Sequence, residues 1–169
     1  KVPFNEGNSA ESGNIGLLSQ SGTGAHRIVY LANARGLRFS KAVSYGNALD
    51  LGAEDLLEYL AGDPETEVIM LYVEGIKDGK RFFTTFREVT KVKPIILLVA
   101  GLTEGGARAT ASHTGALAGN REVWEAFFRQ TGAIRVTTFD EAVEMMEAIS
   151  FMPPFKGGNL AIVGRGGGF

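Results

Sequence analysis

Short apolar runs alternate with helical spacing along nearly the whole chain. Residues 15–19 (Ile-Gly-Leu-Leu-Ser) read as a strand, Gln20-Ser21-Gly22-Thr23-Gly24 as a turn, and Ile28, Leu31 and Ala32 as the apolar face of a helix ending at Gly36. Residues 39–45 predict a second strand and residues 46–50 a turn. Asp50 is then the N-cap of a helix carrying Leu51, Leu56, Leu57, Tyr59 and Leu60, which Asp63-Pro64 stops. Val68-Ile-Met-Leu-Tyr-Val73 shows no polar alternation, so it belongs at the centre of a sheet covered on both faces. A helix over 78–91 carries Phe82, Phe83, Phe86 and Val89, and Pro94 introduces the strand over 95–99. After a stretch rich in glycine and alanine, a helix over 121–131 is expected to bury Val123, Trp124, Phe127 and Phe128. Residues 133–136 give a fifth strand and residues 139–149 a last helix.

Strands alternating with helices through right-handed crossovers predict an α/β fold with a doubly wound parallel sheet. Five such units most often take the flavodoxin-like order 2-1-3-4-5, with ligands at the carboxyl ends of the strands. The chemically suggestive stretches all fall on that edge. Residues 19–24 follow the first strand, 46–50 the second, Glu74-Gly75 the third, and a long loop follows the fourth.

Composition bounds the reading further. A chain of 169 residues, 44% hydrophobic and 21% charged, suffices for one well-packed domain. That domain is expected over 14–150, after a polar arm at 1–13 and before a Pro- and Gly-containing linker at 151–158. Residues 159–169 read as the truncated opening strand and glycine turn of a following α/β domain, so the chain is expected to be part of a longer protein. A net charge of −2 with scattered lysines and arginines predicts no nucleic-acid partner. Zero cysteines exclude disulfides and suit a reducing compartment. With no run of about 18 apolar residues and no signal-type core, the expectation is a soluble cytoplasmic protein without a membrane partner.

The loop after the fourth strand, Glu104-Gly-Gly-Ala-Arg-Ala-Thr-Ala-Ser-His-Thr-Gly-Ala-Leu-Ala-Gly119, centres on His113. Small residues crowd this histidine, and its glycines permit movement or close approach to a ligand. A neutral imidazole there can serve as base, nucleophile or ligand. Metal is the least favoured role, because there is no cysteine and His26 lacks ligand spacing to it. At the first turn, Ser19, Ser21, Gly22 and Thr23 combine hydroxyls, free amides and the positive end of a helix dipole into a candidate phosphate site. The competing reading is that the serines only cap the helix. The turn has neither a P-loop lysine nor a dinucleotide fingerprint. Glu74, ending an apolar strand, could orient His113 by accepting its ring N–H, or could simply be a solvated strand-end charge. Together these residues suggest a histidine that accepts and passes on a phosphoryl group.

Five co-linear motifs also carry a resemblance. Gly13-Asn-Ile-Gly-Leu-Leu-Ser-Gln-Ser-Gly22, Ser44-Tyr-Gly-Asn47, Asp55-Leu-Leu-Glu-Tyr-Leu60, Tyr72-Val-Glu-Gly-Ile-Lys-Asp-Gly79 and Ala111-Ser-His-Thr-Gly-Ala-Leu-Ala-Gly119 resemble the second domain of the NDP-forming acyl-CoA synthetases. These are the ADP-forming acetyl-CoA synthetases, relatives of the succinyl-CoA synthetase alpha subunit. The resemblance implies that His113 is phosphorylated, that Glu74 supports it, and that the turn at 19–22 holds phosphate, with Gly115 counted among the phosphate-binding positions. It implies the reversible conversion of acyl-CoA, ADP and phosphate into carboxylate, CoA and ATP through an acyl phosphate. No tightly bound cofactor is expected in this segment; CoA, ATP or ADP, phosphate and Mg2+ are expected of the full enzyme. The implied partners are the missing CoA-binding and ATP-grasp domains, in the same chain or another subunit, within a homo- or hetero-oligomer.

Two other flavodoxin-like functions fit less well. A flavin site would need aromatic residues after the third and fourth strands, where Glu74-Gly75 and Ala100-Gly101 stand. A receiver domain would need acidic residues after the first strand, where Ser19-Gln20 stands. The stronger alternative is a non-catalytic regulatory or acyl-CoA-sensing module derived from the same family.

Overall fold

A computed structural model of the chain describes residues 11–101, 121–152 and 157. Among them five strands and five helices alternate. They are β1 (Ile15–Ser19), α1 (Gly22–Ala34), β2 (Phe39–Ser44), α2 (Ala53–Gly62), β3 (Val68–Val73), α3 (Gly79–Val89), β4 (Ile95–Val99), α4 (Arg121–Thr131), β5 (Ile134–Val136) and α5 (Phe139–Phe151). The strands form one sheet in the order β2-β1-β3-β4-β5, every pair parallel. This is the expected flavodoxin-like order.

The apolar runs explain why the sheet is central. Successive side chains of a strand point to opposite faces, and both faces are covered. Ile15, Leu17, Val68, Met70, Ile96 and Leu98 meet α1 and α5 on one side. Leu18, Ile69, Leu71, Val73, Ile95, Leu97 and Val99 meet α2, α3 and α4 on the other. Gly16 supplies closeness instead of bulk: a Cβ there would stand 2.7 Å from Leu60 Cδ1 and 2.9 Å from Thr66 Cγ2. An aromatic cluster joins α3 to α4, with Phe82 4.5 Å from Phe86 and 5.4 Å from Phe127, and Trp124 5.3 Å from Phe127, between ring centroids. Each such pair adds about 0.5–1.5 kcal/mol beyond its area burial.

Three local expectations change. Helix α2 starts at Ala53 with Gly52 as its N-cap, because the Gly52 N–H donates to Asp55 Oδ2 at 2.8 Å; Asp50 and Leu51 therefore precede the helix, and Leu51 is exposed. Val123 of α4 faces outward, since Trp124 and Phe127 define the buried stripe. Helix α5 continues to Phe151, two residues beyond the expected end, and residues 1–10, 153–156 and 158–169 lie outside the described residues. At the other boundary Gly13 N–H donates to Phe39 O at 3.2 Å, and Glu11 pairs with Arg38 at 3.4 Å, so the end of the arm is tied to β2.

A polar network closes the amino edge of the sheet. The register of β1 on β2 shifts between Ile15 and Gly16, and Ser40 Oγ donates to Ile15 O at 3.1 Å. Ser40 Oγ and Asp63 Oδ2 each lie 2.6 Å from Thr66 Oγ1, and Lys41 Nζ donates to Asp63 Oδ2 at 2.6 Å. The Lys41 ammonium, followed by the Thr66 hydroxyl, holds the Asp63 carboxyl below the usual carboxylate range. A depressed folded-state pKa stabilises the fold above the unfolded value, and that contribution disappears as pH falls through the folded value. Stability should therefore decline below about pH 4. Asp63→Asn should be less stable at neutral pH and lose less on acidification in urea titrations between pH 2 and 7; parallel curves for the two proteins would exclude this role.

Candidate functional site

The carboxyl edge brings the first and third strand ends together. Ser19 is fully buried, and its Oγ donates to Ser21 O at 2.7 Å while accepting from Ser21 N–H at 3.2 Å. Its hydroxyl thus shapes the turn. Ser21 is the N-cap of α1, its side chain accepting the Gly24 N–H at 3.1 Å, and its carbonyl accepts the Ala25 N–H at 2.9 Å. Gly22 and Thr23 are exposed at the first two helical positions, where an amide has no intrahelical acceptor. Among the described residues no side chain takes either amide. The first turn contains no acidic residue, unlike those of α2 and α5, so no carboxylate of that turn offsets its positive end. A Cβ at Gly22 would lie 3.8 Å from Ser44 Oγ, which puts a further hydroxyl beside the same helix start.

Glu74 leaves the end of β3, the immediate neighbour of β1. Its backbone N–H and that of Gly75 both donate to Gln20 Oε1, at 2.6 and 2.9 Å. Gln20 N–H in turn donates to Tyr72 O at 3.0 Å. One residue therefore ties the turn carrying the phosphate candidates to the turn carrying the carboxylate. Tyr72 Oη donates to Glu74 Oε1 at 3.3 Å. Beyond Gln20 a cleft of about 210 Å³ opens between the β2–α2 and β3–α3 connections, with Tyr45, Glu54, Gly75 and Arg81 in its wall. Burial, then the charges of Glu54 and Glu74, raise the Tyr45 pKa, keeping its hydroxyl protonated.

His113 and Gly115 lie outside the described residues. The segment containing them follows Gly101, which has φ +79°, after β4, and rejoins the described chain at Arg121. Since β4 pairs with β3 in the register Val73 to Val99 and Ala100 N–H donates to Val73 O, the last described residues before that segment stand beside the Glu74 turn. Among the described residues no group of three or more His, Asp or Glu side chains has the arrangement to hold a metal ion, and no helix is long and apolar enough to cross a membrane.

Residues 12–149 match the family described as the succinyl-CoA ligase like flavodoxin domain. The chain belongs to that family. This succinyl-CoA ligase-like domain is 46% identical over 159 residues to the alpha subunit of an ADP-forming acetate–CoA ligase II from Pyrococcus furiosus, covering 94% of this chain and 35% of the relative. It is 41% identical over 157 residues to an ADP-forming acetate–CoA ligase from Methanocaldococcus jannaschii, covering 93% and 22%. A solved dinucleotide forming acetyl-coenzyme A synthetase 1 of Ca. Korarchaeum cryptofilum, in complex with phosphate and ADP, superposes with a TM-score of 0.81 at 38% identity, over 88% of this chain and 32% of that one. The chain thus spans about a third or less of the length of these relatives.

Gln20 was visible in the sequence as part of the turn, but its role was not. A strand-end amide two residues before a helix is long enough to bridge to the neighbouring strand, yet which strand lies beside it depends on the crossover. In this succinyl-CoA ligase-like domain, Gln20→Ala removes the acceptor of two partly buried N–H groups, and the expected cost is about 1–3 kcal/mol. Urea unfolding of the variant checks this, with hydrogen exchange at the Glu74 and Gly75 amides expected to rise; unchanged exchange would show that the bridge is not holding the turn.

Proposed function

We propose that this domain carries a phosphoryl group on His113 within an ADP-forming acyl-CoA synthetase. The observation that supports it most is the bridge through Gln20, which joins a helix N-terminus with no acidic residue in its first turn to the turn bearing Glu74. In this reading the amides of Gly22 and Thr23 and the hydroxyl of Ser21 receive the phosphate, with Gly115 contributing from the histidine segment. Glu74 accepts the N–H of one imidazole nitrogen, which fixes the tautomer and leaves the other nitrogen's lone pair free to attack.

The chemistry then runs in three balanced steps. Phosphate attacks the thioester carbonyl of acyl-CoA, forming an acyl phosphate and releasing CoA as its thiolate. The free nitrogen of His113 attacks phosphorus, forming an N–P bond as the bond to the carboxylate oxygen breaks. The terminal oxygen of ADP then attacks the phosphohistidine, forming ATP and returning the electron pair to the imidazole. Besides the His113 nucleophile, the domain contributes position and charge stabilisation, which a loose phosphoryl transition state chiefly demands. A CoA-binding domain and an ATP-grasp domain, in the same chain or another subunit, supply the remaining binding sites, and nucleotide and magnesium belong to the latter. The ADP-forming acetate–CoA ligases that the chain resembles support the part of this reading that places it in an ADP-forming CoA ligase.

The test is to incubate the full-length enzyme containing this domain with γ-labelled ATP and magnesium, and to assay acid-labile, base-stable label. Label is expected in the wild type, absent in His113→Ala and formed more slowly in Glu74→Gln. No label in the folded, complete wild type would leave the non-catalytic module as the better reading. Ser21→Ala should weaken phosphate binding measured by titration calorimetry and cost about 1 kcal/mol of stability through loss of the helix cap; unchanged affinity would remove Ser21 from the phosphate site.

A further inference from the structure

We propose that Tyr72 is the positioning residue for Glu74, its hydroxyl holding one carboxylate oxygen so that the other remains available to accept an N–H from the phosphoryl-carrying group. The inference rests on the function proposed above and assigns a role within it. Strand geometry makes the contact possible, since residues two apart along an extended chain project to the same face, and Tyr72 Oη reaches Glu74 Oε1 at 3.3 Å.

The ring that carries the hydroxyl is itself fixed. It packs on Phe139, the first residue of α5, with centroids 5.5 Å apart and an interplanar angle of 34°. On another side it lies against the first turn of α1, where a Cβ added to Gly24 would stand 3.3 Å from Tyr72 Cδ1. Arg27 of α1 covers the Phe139 ring at 5.1 Å, adding a further contact between the two helices. Tyr72 is therefore seated against the helix end proposed to hold phosphate. Through its hydroxyl it relates the Glu74 side chain to that end, while Gln20 relates the Glu74 backbone to it.

A glutamate at a strand end has three side-chain torsions to lose on reaching a defined geometry, and a fixed donor removes much of that freedom in advance. The hydroxyl remains a donor at any physiological pH. Burial, followed by the charge and the hydrogen bond of Glu74, pushes its pKa up to about 12. Nothing in this arrangement requires Tyr72 to touch phosphate or nucleotide, so its effect should pass through Glu74.

The experiment compares wild type, Tyr72→Phe, Glu74→Gln, the double variant and His113→Ala in the full-length enzyme, using single-turnover labelling from γ-labelled ATP with magnesium. Tyr72→Phe keeps the ring packing and removes the hydroxyl. It should slow labelling about tenfold or more, with the ATP concentration for half-maximal rate and the melting temperature essentially unchanged. In the Glu74→Gln background the same substitution should add nothing, because two residues acting through one contact are not additive. A wild-type rate for Tyr72→Phe, or full multiplication of the two effects in the double variant, overturns the assignment while leaving the phosphohistidine reading in place. Undiminished label in His113→Ala overturns that reading, and the role of Tyr72 with it.

Discussion

Two backbone N–H groups converging on the side-chain oxygen of Gln20 govern the arrangement of the carboxyl edge. Parallel strands deliver their loops to one edge, but the loops then diverge, and pairing of the strands alone does not fix where successive turns stand relative to each other. Here pairing runs one step past the strand ends: Tyr45 N–H reaches Ser19 O, Gln20 N–H reaches Tyr72 O and Ala100 N–H reaches Val73 O. The Gln20 side chain continues that pairing into the third turn. Loss of this bridge would leave the α1 N-terminus and Glu74 each correctly built and wrongly related.

Electrostatics gives the relation its chemical meaning. A carboxylate close to a bound anion is unfavourable, about 1 kcal/mol at 4 Å in water and about 4 kcal/mol at the effective dielectric of a protein surface. Such a pairing becomes favourable when a group between the two donates to both, or carries positive charge in the transition state. An imidazole held by Glu74, as proposed, would meet that requirement, because attack through one nitrogen places positive charge on the ring while the other N–H stays on the carboxylate. The absence of acidic residues from the first turn of α1 removes the other source of repulsion.

Most of the stability is built elsewhere. At the amino edge, the chain from Ser40 through Thr66 to Asp63 and Lys41 satisfies buried polar groups, and Lys93 Nζ donates to the carbonyls of Leu60 and Asp63 at 2.7 and 2.6 Å, closing the end of α2. On the α2–α3–α4 face, Phe82, Phe86, Trp124 and Phe127 secure α4 against α3. β4 is fully buried and α4 is anchored by these rings, so the described elements on either side of the His113 segment belong to the packed core. The edge that does the proposed chemistry can thus be polar and glycine-rich without carrying the fold.

The sequence by itself determined the element order, the central place of Val68-Ile-Met-Leu-Tyr-Val73 and the edge on which the polar residues gather, because these follow from local periodicity and from the handedness of crossovers. It also singled out Ser21 and Glu74 as residues with chemistry to offer. It did not determine the start of α2, since Gly52 caps that helix through Asp55 while the better-capping Asp50 lies outside it. Nor did it distinguish Val123 from Trp124 as the inward residue of α4. Tertiary structure alone decided that Ser19 turns its hydroxyl into its own loop, that Gln20 bridges to Glu74 and that Tyr72 reaches the same carboxylate. The reason is common to all three: periodicity encodes which face a residue takes, whereas a hydrogen bond between neighbouring strand ends depends on register and on packing that only the assembled sheet and its helices fix.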